Sequence, residues 1–206
     1  MGFTQVHAQE VGFGYDEAAP LFSGLCFDIP ATGVSLIQGG ESRGKSTLLR
    51  LLAGQLQPRT GTLTMDGVDV HAPEMGSRIY AHDPRLPMWR EQTPMQFFTQ
   101  LALQYPRFDQ AVVDAMLAHL QLAEHAEKSM YMLSSGSQRK VSWVAALACG
   151  ADLLLMDEPF AALDLNSIRK LHQLLTDWPA SQGAWVLADY QAPGAVPLAA
   201  LLDLGD

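Results

Sequence analysis

The chain has 206 residues, enough for one domain with a real buried core. Its 48% hydrophobic and 17% charged residues describe a globular protein and exclude a disordered one. A formal charge of −9 disfavours nucleic acid as a partner, and no uncharged apolar run approaches the roughly eighteen residues of a membrane span.

The N-terminus, MGFTQVHAQE, has neither a basic nor an apolar leader region, so a cytoplasmic protein is expected. Residues 3–14 and 20–29 read as short strands, and Gly61–Val70 (GTLTMDGVDV) alternates like a hairpin arm. Between them VSLIQ (34–38) is a β-rich run that ends at a Gly-rich loop. Ser46–Leu56 follows with leucines at helical spacing and Gly54 near its end. The stretch 93–133 is helical in character, with Asp109 as N-cap for QAVVDAMLAHLQL. A helix from Gln138 to Cys149 stopped by Gly150, a strand over 152–156, a helix over 165–177 and a strand over 184–188 complete a β/α alternation. The expected fold class is α/β, with a parallel core, an N-terminal antiparallel β arm and an inserted helical subdomain. The expected layout is a single domain, with its core over 1–81 and 138–206 and the helical part over about 82–137. Cys26 and Cys149 lie in apolar segments and are expected to be buried, reduced thiols; the six histidines show no zinc spacing, and no structural metal is assigned.

Gly39, Gly40, Glu41, Ser42, Arg43, Gly44, Lys45, Ser46 and Thr47 spell G-x-x-x-x-G-K-S between a strand and a helix. Glycines let successive backbone N–H groups surround phosphates at the positive end of the helix. Lys45 would bridge the β- and γ-phosphates, Ser46 would ligate Mg²⁺, and Thr47 would reach the α-phosphate. By itself the loop does not separate kinases, GTPases, motors and transport ATPases.

Two later segments do. LSSGSQRKV (Leu133–Val141) precedes LLLMDEPFAALD (Leu153–Asp164) by about twenty residues. With the phosphate loop, this chain resembles the ATP-binding-cassette (ABC) ATPases over essentially its whole length. The resemblance implies that Tyr15 stacks on adenine, Asp157 holds Mg²⁺ and Glu158 is the general base that polarises the attacking water. It implies that Ser134, Ser135, Gly136, Ser137 and Gln138 meet the γ-phosphate on an opposite subunit, and that Asp164 contacts that subunit. ATP with Mg²⁺, a second ATP-binding subunit (homo- or heterodimer) and a membrane-spanning transporter subunit are the implied ligands and partners. The implied location is the inner face of the cell membrane, held there through the partner. Met88 and Trp89, apolar residues in RLPMWREQ, are candidates for contact with the membrane subunit. In its shortness the chain resembles compact exporters such as the haem-exporter subunits of cytochrome c biogenesis.

Four positions depart from the family pattern. Ser135 replaces a glycine and Ser137 a glutamine of the signature. His82 stands where a loop glutamine is expected near Mg²⁺ and water; imidazole is a poor Mg²⁺ ligand, although it can hydrogen-bond the water or yield to Asp83. Tyr190 stands where the family has a switch histidine; its phenol stays neutral and brings no positive charge to a γ-phosphate. Two other functions stay open at this point, a non-transport ABC ATPase and a regulatory ATP-binding module with slow turnover.

Overall fold

The computed structural model describes residues 6–16, 19–81, 88–179, 181–194 and 196–205. His82 and Asp83 lie outside the described residues, as do the side chains of Met88 and Trp89.

Two sheets share the chain. In the first, β1 (Val6–Phe13) runs antiparallel to both β2 (Phe22–Ile29) and β4 (Thr60–Met65), and β5 (Val68–Asp69) closes a hairpin on β4. The register of β1 slips between Ala8 and Val11, around Glu10 at φ 52°, which marks a bulge and shifts the buried positions by one.

The second sheet is parallel throughout. It contains β3 (Gly33–Gln38), β6 (Ile79–Ala81), β7 (Leu153–Asp157), β8 (Ala184–Asp189) and β9 (Leu198–Asp203), in the order β6-β7-β8-β3-β9. Apolar side chains on both faces explain the unbroken hydrophobic runs of its central strands. Leu154, Met156, Trp185 and Leu187 join one buried cluster; Leu153, Leu155, Val186 and Ala188 join the other. The second cluster includes the antiparallel sheet and α1 (Lys45–Leu52). The first takes in α3 (Pro94–Gln104), which follows a short helix α2 (Met88–Glu91), and α4 (Gln110–His119), α5 (Ser135–Ala148) and α6 (Leu165–Thr176).

Helix starts follow from short polar side chains placed to accept backbone N–H groups. Thr93 and Gln96 form a reciprocal capping box on α3, and Asp109 accepts from Ala111 N–H on α4. Ser134 accepts from Ser137 N–H and Asp164 from Ser167 N–H, starting α5 and α6. At the opposite end of the sheet from the phosphate loop, Asp152 accepts from Arg78 Nε at 2.7 Å and from Arg107. Burial raises the Asp152 carboxyl, but the two guanidinium bonds outweigh it and hold the group below the usual carboxylate range.

Four expectations need correction. Cys26 is exposed: Leu25, Phe27 and Ile29 turn to the core, so strand alternation points Cys26 outward with Asp28. Helix α5 starts at Ser135, three residues before Gln138, because the Ser134 cap captures the first turn. Helix α1 ends at Leu52, and Gly54 turns the chain at φ 67°. Strand β9, parallel to β3, was not expected at all.

Candidate functional site

Register places three chain exits side by side. Gln38 pairs with Asp189 and Asp157 with Ala188, so Gly39, Glu158 and Tyr190 leave neighbouring parallel strands at one level. Ligands of open parallel sheets bind at this carboxyl end of the strands. Tyr15, Leu21, Ser42, Arg43, Gly44, Lys45, Ser46, Thr47, Glu158 and Tyr190 line the cleft there.

Gly44 enters α1 at φ 93° and offers no side-chain cap, so the first N–H groups of the helix open toward the cleft. A Cβ on Gly44 would meet Phe22 Cζ at 2.6 Å, so both backbone angle and space call for glycine. Lys45, 6% exposed, donates from its ammonium to Gly39 O and Gly40 O, each at 2.7 Å. Gly40 N–H in turn donates to Gly205 O at 2.9 Å, tying the loop to the segment after β9. Tyr15 leaves 65% of its surface exposed; its hydroxyl lies 3.1 Å from Thr47 Oγ1 and accepts from Arg50 at 3.4 Å. Phe13 meets its ring edge-on at 5.1 Å, which leaves a broad aromatic surface at the rim.

The acidic pair sits at the end of β7. Asp157 Oδ1 is buried with no hydrogen-bond partner among the described residues, an oxygen whose desolvation a cation would offset. A hard oxygen donor of this kind, with the Ser46 hydroxyl in the same cleft, fits Mg²⁺. Glu158 is held at φ 44°, a left-handed conformation costing about 1–3 kcal/mol for a non-glycine residue. Its N–H donates to Ala188 O at 2.9 Å, which fixes that turn against β8.

Tyr190 comes into the same cleft as Lys45 and Glu158. The signature residues Ser134, Ser135, Gly136, Ser137 and Gln138 do not line it, and neither does Asp164. Ser134 and Ser135 are exposed at the start of α5, where Ser134 Oγ is taken up by capping and by the Ser137 hydroxyl at 3.0 Å. Gln138 donates to the carbonyls of Met130 and Leu133, so it braces the preceding turn. A Cβ on Gly136 would meet Ala162 O at 2.5 Å, which packs the signature against the loop before α6. Asp164 also pairs with Lys140 at 3.0 Å; the Ser167 hydroxyl and N–H, then Lys140, hold its carboxyl far below the usual range.

Two supporting residues escaped the sequence reading as parts of the site. Arg139 donates to Asp157 O at 2.8 Å, and Trp143, one turn further along α5, donates to Pro159 O at 2.8 Å. Together they hold both sides of Glu158 in place, and their i, i+4 spacing was the available signal. Asp189 Oδ1 accepts from Tyr190 N–H at 2.7 Å. Burial raises the Asp189 carboxyl, opposed by that bond and by Lys45.

A family model described as ABC transporter matches residues 22–161. Among curated proteins, the chain is 34% identical over 187 residues to the cytochrome c biogenesis ATP-binding export protein CcmA of Paramagnetospirillum magneticum, covering 86% of each chain. It is 30% identical over 189 residues to the taurine import ATP-binding protein TauB of Pseudomonas entomophila, covering 91% of this chain and 73% of that one. Among solved structures, a putative ABC transporter ATP-binding protein from Pyrococcus furiosus superposes with a TM-score of 0.79 at 19% identity, covering 97% of each chain.

Proposed function

Since the chain belongs to the ABC transporter family and is a transport ATPase, we propose that it binds ATP with Mg²⁺ in this cleft, dimerises around the nucleotide and drives a separate membrane-spanning partner. The carrying observation is the convergence, at one end of the parallel sheet, of an open helix N-terminus, the Lys45 ammonium and the Glu158 carboxylate. In this reading the exposed face of Tyr15 stacks on the adenine. The N–H groups of residues 42–47 and Lys45 hold the phosphates, and Ser46 with Asp157 holds the metal. Bound Mg²⁺ would neutralise charge on the β- and γ-phosphate oxygens. Glu158 would orient and polarise the attacking water, its backbone braced by Ala188 and by Arg139 and Trp143 on either side.

Placement of Ser134–Gln138 and Asp164 away from the cleft supports a role in trans. Exposed Ser134 and Ser135, at the positive end of α5, would meet the terminal phosphate held by a second subunit. Burial of two nucleotides between subunits would close the pair and hydrolysis would reopen it, a population shift passed to the membrane partner. Among the described residues no helix is long and apolar enough to cross a membrane, so a separate partner would supply the path and hold this subunit at the inner membrane face. Similarity to both an export and an import subunit at 30–34% identity leaves cargo and direction to that partner.

Turnover in this reading is slow, because Tyr190 brings no charge to the γ-phosphate and His82 replaces the expected amide. The test is Glu158→Gln with ATP and Mg²⁺, followed by light scattering. Doubled mass is expected; a monomer at tens of micromolar would overturn closure of the isolated subunit around ATP.

A further inference from the structure

Tyr190 lays its ring over the Lys45 ammonium, with Nζ 3.9 Å from the ring centroid. That ammonium also donates to Gly39 O and Gly40 O. Lys45 is thus enclosed by its own loop on one side and by an aromatic face on the other. Glu158 lines the same cleft as the ring. Glu158 raises the phenol most, followed by burial, with Glu41, Asp157 and Asp189 adding to it. The side chain therefore stands in the cleft among the lysine that would hold phosphate and the carboxylates expected to face the reacting end of a nucleotide.

We infer that Tyr190 is a built-in cap on Lys45, and that the terminal phosphate of a nucleoside triphosphate has to displace it. The inference rests on the reading of the cleft as a triphosphate site. Cation–π attraction and phosphate pairing compete for one ammonium, and the ring and the phosphate compete for one space. Backbone and ring are separable in this arrangement. The Tyr190 N–H is anchored on Asp189 Oδ1 at 2.7 Å, while 47% of the residue faces solvent, so side-chain rotation can swing the ring outward. A diphosphate reaches Lys45 through its β-phosphate alone and has no group to fill the space toward Glu158 that the ring occupies, so it displaces the cap less completely. Tyr190 accordingly discriminates against triphosphate in the free subunit and releases Lys45 when one binds.

The test compares wild type, Tyr190→Ala and Tyr190→Phe by calorimetry, using a non-hydrolysable ATP analogue and ADP, each with Mg²⁺. Tyr190→Ala should bind the analogue at least about threefold more tightly, from loss of the cation–π contact alone, and should gain less for ADP. Tyr190→Phe keeps the aromatic face and should match wild type with both. The cap is overturned if Tyr190→Ala binds the analogue no more tightly, or gains equally for ADP. It is also overturned if Tyr190→Phe behaves like Tyr190→Ala, since the hydroxyl would then matter and not the ring. Failure of wild type to bind either nucleotide overturns the triphosphate reading itself, and the cap with it.

Discussion

Replacing Lys45 by methionine or alanine tests the phosphate loop most directly. In the free protein its ammonium donates at 2.7 Å to two loop carbonyls and lies under an aromatic ring. A charge-assisted hydrogen bond contributes about 1.5–3 kcal/mol, equivalent to about ten- to hundredfold in affinity. Phosphate does not add the full value here, because binding trades the ring contact and strains the carbonyl bonds already present. The expected loss is therefore near the lower end, about ten- to thirtyfold in ATP affinity. The same geometry predicts a second effect. Without the ammonium, Gly39 O and Gly40 O lose their donor, so the free protein should also unfold about 1–2 kcal/mol more easily. Methionine preserves length and most of the packing, which separates charge from volume. Calorimetry with ATP and Mg²⁺, phosphate release and urea unfolding read the three quantities. Unchanged affinity and rate in both variants would refute the assignment of the loop; unchanged stability with lost affinity would refute the account of the free state.

Other outcomes follow from particular contacts. A thiol reagent should modify Cys26 rapidly in the native protein and Cys149 only after unfolding, because Cys149 is buried and burial pushes its thiol up to about 12; equal labelling would refute this. Gly136→Ala should lose about 1–3 kcal/mol, since its Cβ would lie 2.5 Å from Ala162 O; an unchanged melting curve would show that the loop before α6 yields freely. Asp152 is held low by Arg78 and Arg107 despite burial, so its stabilisation is present above the unfolded carboxylate value near 3.9 and is lost as pH falls through the lower folded value. Asp152→Asn should therefore lower the urea midpoint at neutral pH and flatten its decline in acid; parallel acid limbs in variant and wild type would count against the clamp. Wild-type basal hydrolysis should be slow and should rise roughly tenfold or more in Tyr190→His, further with His82→Gln, whereas wild-type turnover on the order of tens per second would refute this account of both positions.

Much of this site was legible because the residues that build it also build the sheet. VSLIQ and LLLM are apolar runs that stop at Gly39 and at Asp157–Glu158, and parallel pairing then brings the two ends level. The caps Asp109, Ser134 and Asp164 announce themselves by residue type, though Ser134 was read for its phosphate role and its three-residue effect on the start of α5 was missed. Cys26 was misjudged from the composition of its segment; period-two alternation between Leu25 and Phe27 would have placed it outward. Strand β9 escaped because LAALLD has helix-forming residues, and its pairing with β3 decides the matter through contacts far away in sequence.

Tyr190 marks the limit of such reading. Counting along the chain puts it at the mouth of the cleft, and its neutrality follows from the phenol itself. Where the ring points depends on a tertiary contact, the Lys45 ammonium against its face, while the adjacent Asp189 carboxylate holds its N–H. Both partners exist for other reasons: Asp189 ends a core strand, and Lys45 belongs to the phosphate loop. An imidazole on the same backbone can take up a proton and bring positive charge to phosphate, whereas the phenol offers a neutral O–H and a ring that covers the lysine or moves aside. One substitution at a strand end thus changes the empty cleft from a set of open donors into a closed pair, and nucleotide has to do work on the protein before it gains the lysine.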